Sequence, residues 1–195
     1  MIRQATLPLL FVLSPTLQPD PGASLARRLR RAALRRQPVV VGTVAAPYEP
    51  AAGPGKDDPL RQSLLPVEGL EIAITTATPR ILRQLNLLVE LDRRHSVAVR
   101  MVLPASADDP EPWMRAVRSL AAEGIATSVL LSPALGRRNG EETFRFLLEE
   151  ALAAGAVDVE TDLHSFPRGA RISLLATFRR LRLEYGFPHR ASGRG

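Results

Sequence analysis

Cysteine is absent from the 195 residues. That excludes disulfides, thiolate nucleophiles, cysteine-held zinc and cysteine-held iron–sulfur clusters within this chain. Lysine is nearly absent as well: Lys56 stands alone, so the net charge of +6 is carried by arginine. Long apolar runs are missing. The longest near the N-terminus, Leu7 to Leu13, falls short of the roughly 18 residues a membrane-spanning helix needs. No small-x-small cleavage site follows it, and the expectation is a cytoplasmic protein without a membrane span. Histidine occurs at three scattered positions without metal-ligand spacing, and no serine stands in a nucleophile-elbow context. Aromatics are few, with one Trp, two Tyr and six Phe, most of them at core-spaced positions.

What is present is a hydrophobic content of 45%, enough for the core of one domain. That domain is expected over residues 1–187, with a disordered tail at 188–195. Apolar runs at Leu7–Leu13, Pro38–Thr43, Leu70–Thr76, Val97–Leu103, Ile125–Leu131 and Ala156–Leu163 read as strands. The unbroken valines of the second run suit a strand buried on both faces of a parallel sheet. Between the runs lie helical patterns. Ala23–Arg36 places Leu25, Leu29, Ala32 and Ala33 on one face, and a short helix falls near Leu60–Leu65. Thr78 and Pro79 read as an N-cap and first residue of a helix with a stripe of Ile81, Leu85, Leu88 and Leu91. Asp109-Pro110 opens a helix whose inner face would be Trp113, Val117, Leu120 and Ala121, closed by Gly124. Asn139 with Glu142 resembles a capping box before Phe144, Leu147, Leu148 and Ala151, closed by Gly155. Leu174, Phe178, Leu181 and Tyr185 mark the last helix.

Strand and helix thus alternate about six times, which argues for α/β architecture with a parallel sheet of right-handed βαβ units. An open doubly wound sheet and a partial barrel both satisfy the pattern. In either, the strands' carboxyl ends carry the working loops, which places Tyr48, Thr75, Thr76, Pro104, Ser132 and Asp162 near one rim.

Four patterns invite chemistry. Gly53 to Lys56, "GPGK", lacks the phosphate-loop frame, because Pro50 and Asp57 occupy positions that need Gly and Ser or Thr. No three-glycine dinucleotide fingerprint follows the second strand. Asp158, Glu160, Asp162 and His164 alternate along the sixth strand and would share a face. That face could ligate a hard metal, or could simply be solvated. Arginines from Arg27 to Arg36, and a second group at Arg179, Arg180 and Arg182, could grip nucleic-acid phosphates or form solvated surfaces. His95, after Arg93 and Arg94, reads as a cation at a helix C-terminus.

Taken in order, "VVVGTVAAPYEP", "IAITTATPRILRQLNLLVEL" and "AVRSLAAEGIATSVLLSPALGRRNGEE" resemble segments of the radical S-adenosylmethionine superfamily, in its spore photoproduct lyase-like branch. The resemblance covers about residues 38–156. Gly42, Thr43, Pro47, Tyr48, Pro50, Thr75, Arg83, Pro133 and Asn139 match the branch's pattern. Ala45 and Ala46 replace its Thr-Asp, Thr76 its Lys, and Gln84 its Asp. The resemblance implies a partial (β/α)6 TIM-like barrel that binds S-adenosylmethionine, with Gly42, Thr43, Tyr48, Thr75 and Arg83 as cofactor-binding positions. It also implies a [4Fe–4S] cluster on three cysteines, which this chain does not have. The resulting expectation is a degenerate, cluster-less relative serving as an accessory or binding module. Three alternatives stand beside it: a basic nucleic-acid-binding protein, a truncated enzyme whose cluster segment lies outside this chain, and a cluster-less enzyme using Tyr48, Glu49 and the Asp158–Asp162 carboxylates.

Overall fold

The computed structural model describes residues 9–10, 23–50, 59–104, 109–131, 140–161 and 168–187. The chain is α/β, with strands and helices alternating as the hydrophobic pattern requires. It divides into two compact units, Met1–Arg100 and Met101–Gly195, with the division falling inside one strand.

The first unit runs β1 (Leu9–Leu10), α1 (Ala23–Arg35), β2 (Val39–Val41), α2 (Pro59–Leu64), β3 (Glu71–Thr76), a 3-10 helix (Pro79–Gln84), α3 (Leu85–Asp92) and the first part of β4 (Ser96–Leu103). Its strands neighbour one another in chain order. β1 pairs parallel with β2, Leu9 opposite Val39, and β2 pairs parallel with β3, Val39 opposite Ile72 and Val41 opposite Ile74. A doubly wound sheet of the dinucleotide-binding kind would set the fourth strand beside the first. Sequential order is that of a partial (β/α)6 barrel wall. Val39, Val41, Ile72 and Ile74 are buried, as the continuous apolar runs demand. Leu29 and Ala32 supply the inner face of α1, and Leu60 and Leu64 that of α2.

Thr78 caps as expected, its Oγ1 accepting from Arg80 N at 3.2 Å. The helix it opens differs from expectation. Its first six residues are 3-10, and the α-helix begins only at Leu85. Three residues per turn put Ile81 and Gln84 on the same side, and both are buried. Within the expected stripe Leu88 and Leu91 are buried, whereas Leu85 is half-buried.

The second unit holds the end of β4, α4 (Glu111–Ala122), β5 (Ala126–Leu131), α5 (Gly140–Ala153), β6 (Asp158–Thr161) and α6 (Arg168–Glu184). β5 and β6 pair parallel, Val129 opposite Val159. Asp109 Oδ1 accepts from Glu111 N at 2.9 Å, so the predicted start of α4 holds. Its buried stripe is Met114, Ala116, Val117 and Leu120, with Trp113 and Ala121 only half-buried. Val117 and Leu120 are common to the predicted and observed faces, and Met114 and Ala116 are buried in place of Trp113 and Ala121. Gly124 ends α4 at φ 82°, with Ile125 N donating back to Leu120 O at 3.1 Å. All four residues predicted for the α5 face are buried, and Phe144 meets Phe178 of α6 edge-on at 5.3 Å between ring centroids. The capping residue Asn139 and the tail at 188–195 lie outside the described residues.

Candidate functional site

The rim segment that follows β2 is the part of the first unit where the predicted site residues meet. β2 ends at Val41, and Gly42 turns the chain with φ 74°. A side chain there would set its Cβ 2.5 Å from both Thr75 O and Tyr48 N. The loop therefore lies directly on the end of β3, and only glycine admits the approach. Thr43 shapes the next turn. Its N–H donates to Ala46 O at 2.9 Å, and its Oγ1 accepts from Ala46 N at 3.1 Å.

Tyr48 is the loop's anchor and is buried. Its N–H donates to Thr75 O at 2.7 Å, and its carbonyl accepts from Thr76 Oγ1 at 2.7 Å. Its phenol donates to Gln84 Oε1 at 3.0 Å. Thr75, Thr76 and Gln84 are all buried, so these bonds form away from water, where leaving either partner unmet is costly. Glu49, one residue on, is exposed.

Of the five positions singled out by resemblance, Gly42, Thr43, Tyr48 and Thr75 are brought together. Arg83 is exposed on the 3-10 helix. Thr76 and Gln84, two of the four departures from the family pattern, belong to the cluster. The signal that could have found them is the 3-10 spacing, which turns Gln84 inward beside Ile81. Pro104 follows β4 in the second unit, and Ser132 and Asp162 lie outside the described residues.

No protein-family model matches this chain, and no curated protein matches it either. For the [4Fe–4S] cluster the donor set does not fit, because no thiolate exists anywhere in the chain. Among the described residues no group of three or more His, Asp or Glu could hold a metal ion.

Among the sixth-strand carboxylates, Asp158 departs from the expected shared face. Asp158 does not lie on a solvated face: its residue is 1% exposed, and its Oδ1 accepts from Val159 N at 2.8 Å and from Arg182 Nη2 on α6. Arg182 also lies over the Phe178 ring at 6.0 Å. Asp162 and His164 are outside the described residues. Two members of the second basic group are likewise engaged within the protein. Arg182 is spent on Asp158, and Arg180 bridges Glu141 at 2.9 Å and Glu184 at 3.5 Å. Of the three, Arg179 is exposed and makes no ion pair among the described residues.

His95 is not the helix-end cation that its position after Arg93 and Arg94 suggested. It is 8% exposed, and its Nδ1 accepts from Leu70 N at 3.3 Å. Burial, with some help from Arg94, lowers its pKa below the ordinary 6.5, against smaller opposite pulls from the Leu64 carbonyl and Glu68. The sign follows from linkage. Above pH 6.5 the ring is neutral folded or unfolded; below it the unfolded chain binds the proton first, so stability is lost as pH falls. Urea midpoints should decline below pH 6.5 with a contribution of at most about 1.4 kcal/mol per pH unit from this group. His95→Gln should flatten that decline, and an unchanged slope in the variant would assign it to other groups.

Among the described residues no helix is long and apolar enough to cross a membrane.

Proposed function

We propose that this chain is a degenerate radical-SAM-like module, similar to the spore photoproduct lyase branch, that holds no cluster of its own. It acts as an accessory or binding protein rather than as a radical enzyme. One observation carries the proposal: Thr76 and Gln84 stand where the resemblance expects Lys and Asp, and both bond to Tyr48. The polar groups at this lip are thereby turned on one another. Gly42, Thr43 and Thr75 serve the same end, since each shapes or receives the loop. Retention of these residues is accounted for by the scaffold alone, with no ligand required. The absence of cysteine supports the same conclusion, because thiolates are the usual ligands of the cluster that would cleave S-adenosylmethionine.

Anaerobic reconstitution with iron and sulfide, followed by metal and sulfide analysis and a visible spectrum, tests the proposal. The expected product is apo-protein with substoichiometric, chelator-removable iron. A stoichiometric cluster that survives desalting and reductively cleaves S-adenosylmethionine would overturn it.

A further inference from the structure

Helix α1 contains five arginines and no carboxylate in thirteen residues. At about 100° per residue, the buried Leu29 and Ala32 mark its inner side. Arg27, Arg31 and Leu34 fall opposite, with Arg30 on one flank and Arg28 and Arg35 on the other. All five arginines are exposed, and Leu34 is 87% exposed. Arg27 with Arg31, Arg31 with Arg35, and Arg28 with Arg31 stand three or four residues apart, where like charges destabilise a helix. Among the described residues Arg27, Arg30, Arg31 and Arg35 make no ion pair to relieve this. Several arginines elsewhere are paired instead: Arg61 with Glu90 at 2.9 Å, Arg145 with Glu184 at 2.7 Å, and Arg182 with Asp158. On the Arg30 flank the face ends at an open cleft of about 450 Å³ where Glu68 stands, which bounds the positive footprint on that side.

We infer that this face of α1 binds the phosphate backbone of duplex DNA without reading base sequence. A self-repelling row of guanidinium groups is relieved by phosphates, which guanidinium forks grip in two-pronged fashion. The other polyanions fit less well. A helix that lies on a membrane puts its apolar side into the lipid; here that side is already buried in the protein, and Leu34 is the only apolar residue among the outward arginines. A single strand is held by stacking on aromatic rings, and α1 has none. The inference is independent of the family resemblance and of the rim loop.

The test is fluorescence anisotropy of the full chain with a labelled duplex of about 20 base pairs and mixed sequence, from 50 to 200 mM NaCl. With four phosphate contacts, from Arg27, Arg30, Arg31 and Arg35, affinity should fall about 150-fold over that range, a log–log slope of about −3.6. Arg27→Gln, Arg31→Gln and Arg35→Gln combined should reduce the slope to about −0.9 and the fall to about 4-fold. The equally charged control of Arg80→Gln, Arg93→Gln and Arg115→Gln, all exposed elsewhere, should keep the steep slope. Glutamine is a good helix former, so the far-ultraviolet circular dichroism should not change. The inference is overturned by no binding at 50 mM, by equal losses in variant and control, by tighter α1-dependent binding of a single strand, or by α1-dependent binding of phosphatidylserine vesicles in its place.

Discussion

Gly42→Ala is expected to cost at least about 3 kcal/mol, several times what the same substitution costs at Gly69. Both glycines have the left-handed backbone, with φ 74° and 71°. A Cβ on Gly69 would meet nothing within 4 Å, so alanine there carries only the conformational penalty, about 1 kcal/mol. At Gly42 the new carbon lands 2.5 Å from a carbonyl oxygen and an amide nitrogen, both backbone atoms that cannot swing aside. The loop must then lift from β3, and the buried bonds of Tyr48 to Thr75, Thr76 and Gln84 go with it. Urea unfolding of the two variants side by side measures the difference. Equal costs would mean that the loop does not rest on the strand end.

Arg182→Met is expected to destabilise the chain by about 3–5 kcal/mol, because it removes the Arg182 charge from the buried Asp158 carboxylate. The side chain of Asp158 is 2% exposed and that of Arg182 15%, so water does little to soften the loss. Adding Asp158→Leu should recover most of it, since an apolar pair of similar bulk often replaces a buried ion pair at little cost. Thermal melts of the single and double variants form the cycle. A double variant no better than Arg182→Met would show that the arginine acts mainly by packing on Phe178.

The elements were legible because their signals are local. Thr78 before Pro79, Asp109 before Pro110, and Gly124 after a helical stripe each settle their ends within three or four residues. Phe144, Leu147, Leu148 and Ala151 were legible by spacing alone. What escaped depends on partners far along the chain. Asp158 looks solvated in "VDVETDLH" because nothing near it announces Arg182, 24 residues later. His95 follows two arginines and reads as a helix-end cation, yet its ring is buried and accepts from the Leu70 amide, 25 residues earlier. Gln84 is the clearest case. Its polarity suggests an outward residue on an α-helix, and only the tighter 3-10 turn, together with a phenol 36 residues away, makes it an inward one. The rim loop was placed correctly at the end of β2, but the reason its residues are there was visible only once their partners were known.

The fastening of Tyr48 has a thermodynamic corollary. Three buried hydrogen bonds, each contributing on the order of 1 kcal/mol, make a released loop a minority species of about one molecule in a hundred or fewer. Any small molecule that must engage the phenol of Tyr48 or the amide of Gln84 first draws on that minority. Its apparent dissociation constant is raised by the same factor of about a hundred. A lip latched in this way selects for ligands that dock on its outer surface and against those that need it open.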